Sequence, residues 1–264
     1  QVEDSGTGYE VFWSHSSGKY NVWKVDASGS FQSIVNAHLW QHENTFKVDL
    51  NGDSTQGLVT VENIGNVHLA IGDNQFIGDT QYYIVDGSNE PIGLTVFGAT
   101  KGPNSSSGWS VTQVEDSGTD YEVFWSHSSG KYNVWKVDAS GSFQSIVNAH
   151  LWQHENTFKV DLNGDSTQGL VTVENIGNVH LAIGDNQFIG DTQYYIVDGS
   201  NEPIGLTVFG ATKGPNSNPG WSVTQVEDSG TDYEILWTHP TGNEYNKYDV
   251  WKVDASGSFV SSIK

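Results

Sequence analysis

The chain has 264 residues, 36% hydrophobic and 12% aromatic, so a sizeable core has to be built largely from Trp, Tyr and Phe. Cys, Met and Arg are all absent, which excludes a disulfide framework, a thiolate metal site and a Cys nucleophile. The 32 carboxylates against 11 lysines leave a formal charge of -21, which repels nucleic-acid phosphate and anionic headgroups, and no apolar run approaches the roughly 18 residues of a membrane span. No nucleic-acid partner and no membrane insertion are therefore expected. Such a charge suits a secreted protein in salt with divalent cations, which relieve the self-repulsion. No signal-type segment opens the sequence, which reads as an excerpt of something longer.

The first elements form an aromatic meander. Tyr9–His15 carries large residues on both faces, as a strand buried on two sides does. Ser16-Ser17-Gly18 supplies a turn, Tyr20–Asp26 the partner strand, Ala27-Ser28-Gly29 the next turn and Ser30–Ile34 a third strand. Asn36 is a candidate N-cap for a helix over Ala37–Phe46, with Leu39, Trp40, Glu43 and Phe46 at helical spacing. The helix runs into Asp49-Leu50-Asn51-Gly52-Asp53. Strands follow at Leu58–Glu62, Val67–Ile71, Gln81–Val85, Leu94–Phe97 and Trp109–Glu115, separated by Gly, Asn or Asp and, before Trp109, by the loop Gly102–Gly108. The fold class expected is mainly β: tandem antiparallel-sheet units, each with one short helix running into a calcium-type loop.

Self-comparison gives a period of 112 residues, since Gln1–Thr7 recurs from Gln113 and from Gln225. The first two copies differ only at Gly8/Asp120, Ser106/Asn218 and Ser107/Pro219, and the third is partial, with four extra residues within Pro240–Lys247 that mark a surface turn. Two framings fit: units 1–112 and 113–224 with a spare hairpin after them, or a partial repeat 1–36 followed by full units 37–148 and 149–264. The second is preferred, because Ser261–Lys264 then closes a whole unit and 1–36 forms the tail of a preceding repeat. Near identity over so long a period favours a modular surface protein over an enzyme, which needs one active site.

Asp49-x-Asn51-x-Asp53, repeated as Asp161-x-Asn163-x-Asp165, matches the first half of an EF-hand-type loop, whose side chains at positions 1, 3 and 5 turn onto one hard cation. Thr55 and Thr167 stand at position 7, where a backbone carbonyl would ligate. Position 6 is Ser54 in place of Gly, and position 12 is Thr60 in place of Glu; Glu62 and Glu174, or water, would complete the shell. The expected site is a helix–loop–strand holding about one structural calcium per full repeat, weaker than a cytosolic sensor. Without metal, the same residues make an Asx-rich turn.

Gly220-Trp221-Ser222-Val223, Tyr233-Glu234, Tyr248–Gly257 and, in the full copies, Glu155-x-x-Phe158-x-x-Asp161-Leu162-Asn163-Gly164-Asp165 resemble, in that order, the tryptophan-rich C-terminal domain of cyanobacterial and other bacterial secreted proteins, often found with hemolysin-type calcium-binding repeats. The match covers about half of each unit. The resemblance implies tandem domains and an exported or cell-surface protein without known catalytic activity. The family usually has Gly where this chain has Ser54 and Ser166.

Other constellations carry less. His38 and His42 have a zinc-compatible spacing, but Glu43 follows the second His and not the first, so the metalloprotease pattern fails and a partly exposed pair is expected. Trp13, Trp23, Trp40 and Trp109 are core candidates, with Trp109 and Trp221 the best placed for exposure. No nucleophile elbow or phosphate loop occurs, and nothing nominates a carboxylate pair for a glycan hydrolase. The function expected is a non-catalytic, calcium-stabilised repeat module of a secreted adhesin-like protein, its partners being neighbouring repeats and a surface glycan or another cell-surface component. The alternative is a lectin-like module with exposed Trp or Tyr and avidity from repetition.

Overall fold

The computed structural model describes residues 1–74, 79–88, 90–186, 192–200, 202–241 and 247–263. Two compact units divide the chain, Gln1–Val147 and Asn148–Lys264. Both are built from antiparallel four-stranded meanders in which each strand pairs with its sequence neighbour.

In the first unit, β1 (Val2–Asp4), β2 (Gly8–Ser14), β3 (Tyr20–Asp26) and β4 (Phe31–Ile34) form the opening meander. Its turns follow from side-chain chemistry: Asp26 Oδ1 accepts the N–H groups of Ser28 (2.9 Å) and Ser30 (3.0 Å), and the same turn recurs at Asp138 and Asp254. Helix α1 (Leu39–Phe46) follows, then a second meander of β5 (Val59–Glu62), β6 (His68–Asp73), β7 (Thr80–Val85) and β8 (Ile92–Gly93). A hairpin of β9 (Thr95–Val96) and β10 (Ala99–Thr100) leads to the third, β11 (Trp109–Asp116), β12 (Tyr121–His127), β13 (Tyr132–Val137) and β14 (Phe143–Ile146).

Helix α1 is wedged between two sheets, because its apolar residues point two ways. Leu39 and Phe46 join Phe12 and Val22 of the opening meander, and Trp40 packs on Ala70 and Tyr83 of the second. The larger core lies between the second and third meanders, where Val67, Leu69, Tyr82, Ile84 and Leu94 meet Val111, Val114, Tyr121, Val123, Trp125 and Val137. Tyr82 stands edge-on to Trp125 at 5.8 Å and accepts the Val111 N–H on its hydroxyl.

The second unit repeats this order: α2 (Leu151–Phe158), β15 (Val171–Glu174), β16 (His180–Asp185), β17 (Thr192–Val197), β18 (Ile204–Gly205), the hairpin β19 (Thr207–Val208) and β20 (Ala211–Thr212), then β21 (Ser222–Asp228), β22 (Tyr233–Thr238), β23 (Tyr248–Val253) and β24 (Phe259–Ile263). Its core matches the first position for position, from Val179 to Val253, with Ile235 in place of Val123. Part of the insertion within Pro240–Lys247 lies outside the described residues.

Most elements lie where the sequence predicts them, and three features differ. The helix starts at Leu39 with His38 as N-cap, and not at Ala37 with Asn36 as N-cap, since the His38 N–H is taken by Gln41 Oε1 at 2.8 Å. Leu94–Phe97 is not one strand: Phe97 has φ 49° and Gly98 φ 77°, and they turn the β9–β10 hairpin. His42 is not partly exposed but buried, at 1% exposure.

Candidate functional site: the loop between helix and sheet

The last turn of α1 launches the loop. Lys47 takes a left-handed conformation at φ 53°, which ends the helix and turns the chain toward Asp49. Buried Glu43 then reaches across, its Oε1 accepting the Leu50 N–H at 3.2 Å and its Oε2 the Gly57 N–H at 2.9 Å. One carboxylate thus clamps both ends of the loop to the helix. Desolvation pushes the Glu43 carboxyl above its ordinary range against the pull of those two donors, and pushes its counterpart Glu155 up to about 7.

Inside the loop, Asp49 Oδ1 accepts the Gly52 N–H (2.6 Å) and Oδ2 the Ser54 N–H (2.8 Å). Asn51 Oδ1 accepts the Asp53 N–H (2.8 Å), while Asn51 Nδ2 donates to Asp53 Oδ2 and to Asp73 Oδ2, each at 2.9 Å. Asp53 Oδ1 accepts the Thr55 N–H (2.8 Å) and hydroxyl (2.5 Å). Partial burial of Asp53 opposes its ionisation, but the donors from Thr55 and Asn51 win and hold its carboxyl below the usual range. Asp161, Asn163, Asp165 and Thr167 reproduce the pattern, with Asn163 Nδ2 donating to Asp165 Oδ2 at 3.0 Å and Asp185 Oδ2 at 2.9 Å.

The missing Gly at position 6 has a direct outcome. Ser54 and Ser166 adopt the left-handed conformation themselves, at φ 72° and 73°, so the turn is as tight as a Gly would make it, at a conformational cost.

Of the residues singled out in the sequence, Asp49, Asn51, Asp53 and Thr55 come together, as do Asp161, Asn163, Asp165 and Thr167. Glu62 and Glu174 are engaged elsewhere. Each accepts the N–H two residues on, from Ile64 and Ile176, and Glu62 lies against the Val114 N–H, His68 and Glu115. A β-bulge between Thr60 and Glu62 interrupts the alternation of β5, and Glu62 is buried toward the third meander while Thr60 and Val61 stay exposed.

The residue that does reach the loop is Asp73, buried at the end of β6, where Thr80 also donates to it at 3.0 Å. Its only sequence signal was an Asp closing an apolar strand, 22 residues from Asn51. The oxygens of Asp49, Asn51, Asp53 and Asp73 are the hard donors calcium takes, and an N–H donor, Asn51 Nδ2, occupies the point where the Asp53 and Asp73 carboxylates converge. Among the described residues, no three acidic or His side chains are arranged to hold a metal ion as they stand.

The helix histidines serve the packing. His38 Nδ1 lies 2.5 Å from Asn74 Oδ1, and buried His42 stands edge-on to Tyr20 at 5.7 Å. Burial, with a smaller contribution from His38, pushes the His42 imidazole down to about 4. Trp109 and Trp221 are half-buried; the exposed indoles are Trp13 and Trp23.

A family profile described as the tryptophan-rich Synechocystis species C-terminal domain matches residues 75–169. Over that stretch the family resemblance read from the Trp and Asp motifs is shown. No curated protein matches the chain. Among solved structures, prolyl oligopeptidase B from Galerina marginata is 11% identical, with 100% of this chain and 35% of that one covered at a TM-score of 0.24. A Bacteroides ovatus xyloglucan PUL GH43B protein is 9% identical (100% and 55% covered, TM-score 0.23). The β-propeller domain of the Trilobed protease from Pyrococcus furiosus is 8% identical (97% and 82% covered, TM-score 0.21). The chain spans 35% to 37% of the length of the three peptidases it is similar to, and likenesses this distant carry no argument about activity.

Proposed function

We propose that this chain, with its tryptophan-rich domain match over residues 75–169, is a non-catalytic repeat module of a secreted or cell-surface bacterial protein of adhesin type, stiffened by calcium in the loops at 49–57 and 161–169. The observation that carries the reading is the repetition of one core, position for position with one Val-to-Ile change, in both units. Conspicuous side chains go into that repeated packing: Trp125 and Trp237 are core, and Glu43 and Glu155 are loop clamps.

Calcium fits the donor chemistry of the loop. Asp49, Asn51, Asp53 and Asp73 would hold it, with Thr55 at position 7 and Glu62 outside the shell. An ion would replace the Asn51 Nδ2 donor between the two carboxylates and offset the local negative charge. At free calcium about a hundredfold above its dissociation constant, each loop would add about 2.7 kcal/mol by mass action. The melting temperature is expected to rise with calcium and fall with a chelator, and the Asp49→Ala/Asp161→Ala double variant to lose the response. An unchanged melting temperature in calcium and in chelator overturns the calcium part.

The lectin-like alternative has a weaker footing. Trp13 and Trp23 are exposed, but their rings are tilted by 47° and the matching Trp125 and Trp237 are buried, so no stacking platform recurs for avidity to multiply. A glycan array is expected to be blank. Partners remain neighbouring repeats and another surface component.

A further inference from the structure

The outer face of the opening meander has the sequence of a buried face. Val2, Tyr9 and Trp13 are 60%, 42% and 52% exposed, whereas Val114, Tyr121 and Trp125 are 1%, 8% and 2% exposed, and Val226, Tyr233 and Trp237 are 0%, 8% and 1% exposed. Strand register is the same, Val2 opposite Val11 as Val114 is opposite Val123, so the face itself is already formed.

What differs is the cover. In the third meander it is the β5–β8 sheet with the β9–β10 hairpin, and in the last it is β15–β18 with β19–β20. The cover is keyed by polar contacts as well as apolar area. Tyr121 and Tyr233 donate their hydroxyls to Asp86 and Asp198 at 2.7 and 2.8 Å. The N–H groups of Thr95 and Thr207 donate to the carbonyls of Gly141 and Gly257, both at 2.9 Å. Those glycines also permit close approach, since a Cβ on either would stand 2.5 Å from the carbonyl oxygen of Gly93 or Gly205, while a Cβ on the matching Gly29 would meet nothing within 4 Å.

We propose that the face of β1–β4 bearing Val2, Tyr9, Trp13 and Trp23 is a docking surface for a further β5–β10 segment of this repeat sequence, joined ahead of Gln1. Both such segments in the chain already cover their own meanders, so a second copy of the chain has none to lend without uncovering one of its own cores. The occupant would bring the equivalents of Leu69, Tyr82, Ile84 and Leu94 onto Trp13, the Asp86 equivalent to the Tyr9 hydroxyl and the Thr95 equivalent to the Gly29 carbonyl. The inference rests on the modular part of the function proposed above and not on calcium.

The test extends the full chain by the sequence of residues 37–112 placed directly before Gln1, which continues the period. Hydroxyl-radical footprinting with mass spectrometry can follow Trp13 alone, because Gly8 distinguishes its peptide from the Asp120 peptide of the next copy. Trp13 labelling is expected to drop to the level of Trp125, and Trp13→Lys, mild in the parent chain, to lower the melting temperature of the extended chain. Trp13 labelling unchanged by the extension overturns the proposal. So does concentration-dependent self-association of the parent chain that shields Trp13, which would make the occupant a second copy. The calcium response is read separately, by chelator in the parent chain, so either idea can fail alone.

Discussion

The opening meander and the third are the same sequence in two environments. From β1 through β4 and from β11 through β14 they differ at one matched position, Gly8 against Asp120, yet Trp13 stands in solvent and its counterpart Trp125 in the core. Strand pairing is set locally, by alternation and by the Asp26-type turns, and forms in both. Burial depends on the sheet laid across the face and forms only where that sheet is present. An aromatic stripe in this chain therefore marks a surface that a neighbouring element is able to cover, not one that is covered.

Matched substitutions break the comparison most directly. Trp125→Ala should destabilise by about 3–5 kcal/mol, leaving a cavity between two sheets, while Trp13→Ala should cost under about 1 kcal/mol. Chemical denaturation of each variant reads the difference, and equal losses would mean that the opening meander is covered in solution.

Acid should sharpen it next. The opening meander is held on one face only, by α1, where Phe12, Val22 and Tyr20 meet Leu39, Phe46 and His42. The folded pKa of His42, about 4, lies below its ordinary value, so its contribution is present above about pH 6.5 and lost as pH falls through 4. At most about 3 kcal/mol is involved. Burial shifts Glu43 upward, so its contribution runs the other way, fading as pH rises, and it offsets part of the loss on acidification. Hydrogen-exchange protection should fall in β2 and β3 before β12 and β13 as pH drops, and His42→Leu should remove that difference.

Glycine substitutions come third. Gly29 and Gly141 share a positive φ, 82° and 79°, so the backbone cost of alanine cancels between them and the remainder reports the covering sheet. Gly141→Ala should exceed Gly29→Ala by about 1–3 kcal/mol in thermal or chemical denaturation. The smallest effect is expected at Ser54→Gly, which relieves a left-handed non-glycine residue and should raise stability by up to about 1 kcal/mol with calcium affinity unchanged or improved.

How far the sequence could be read depended on the range of the interaction. The hairpins around Gly18 and Gly29, the helix through Trp40 and Phe46, and the Asp49/Asn51/Asp53 turn lie within a few residues of their causes. Asp73 joins the loop from 22 residues away, and Glu62 leaves it where a β-bulge after Thr60 breaks the alternation of β5 and its carboxylate lies toward Val114 and Glu115. His42 could not be placed from helical spacing alone, because α1 has two covered faces: Leu39 and Phe46 serve one sheet and Trp40 the other.

The amino-acid sequence by itself determined the repeat, the antiparallel meanders, the helix entering an acidic loop and an aromatic core, since each follows from local periodicity, turn chemistry or self-similarity. Only the tertiary structure decided which indoles are core and which are solvent-facing, and which carboxylates converge on Asn51. Both depend on sheets that pack across long sequence separations, and identical strands carry no record of whether such a sheet is there.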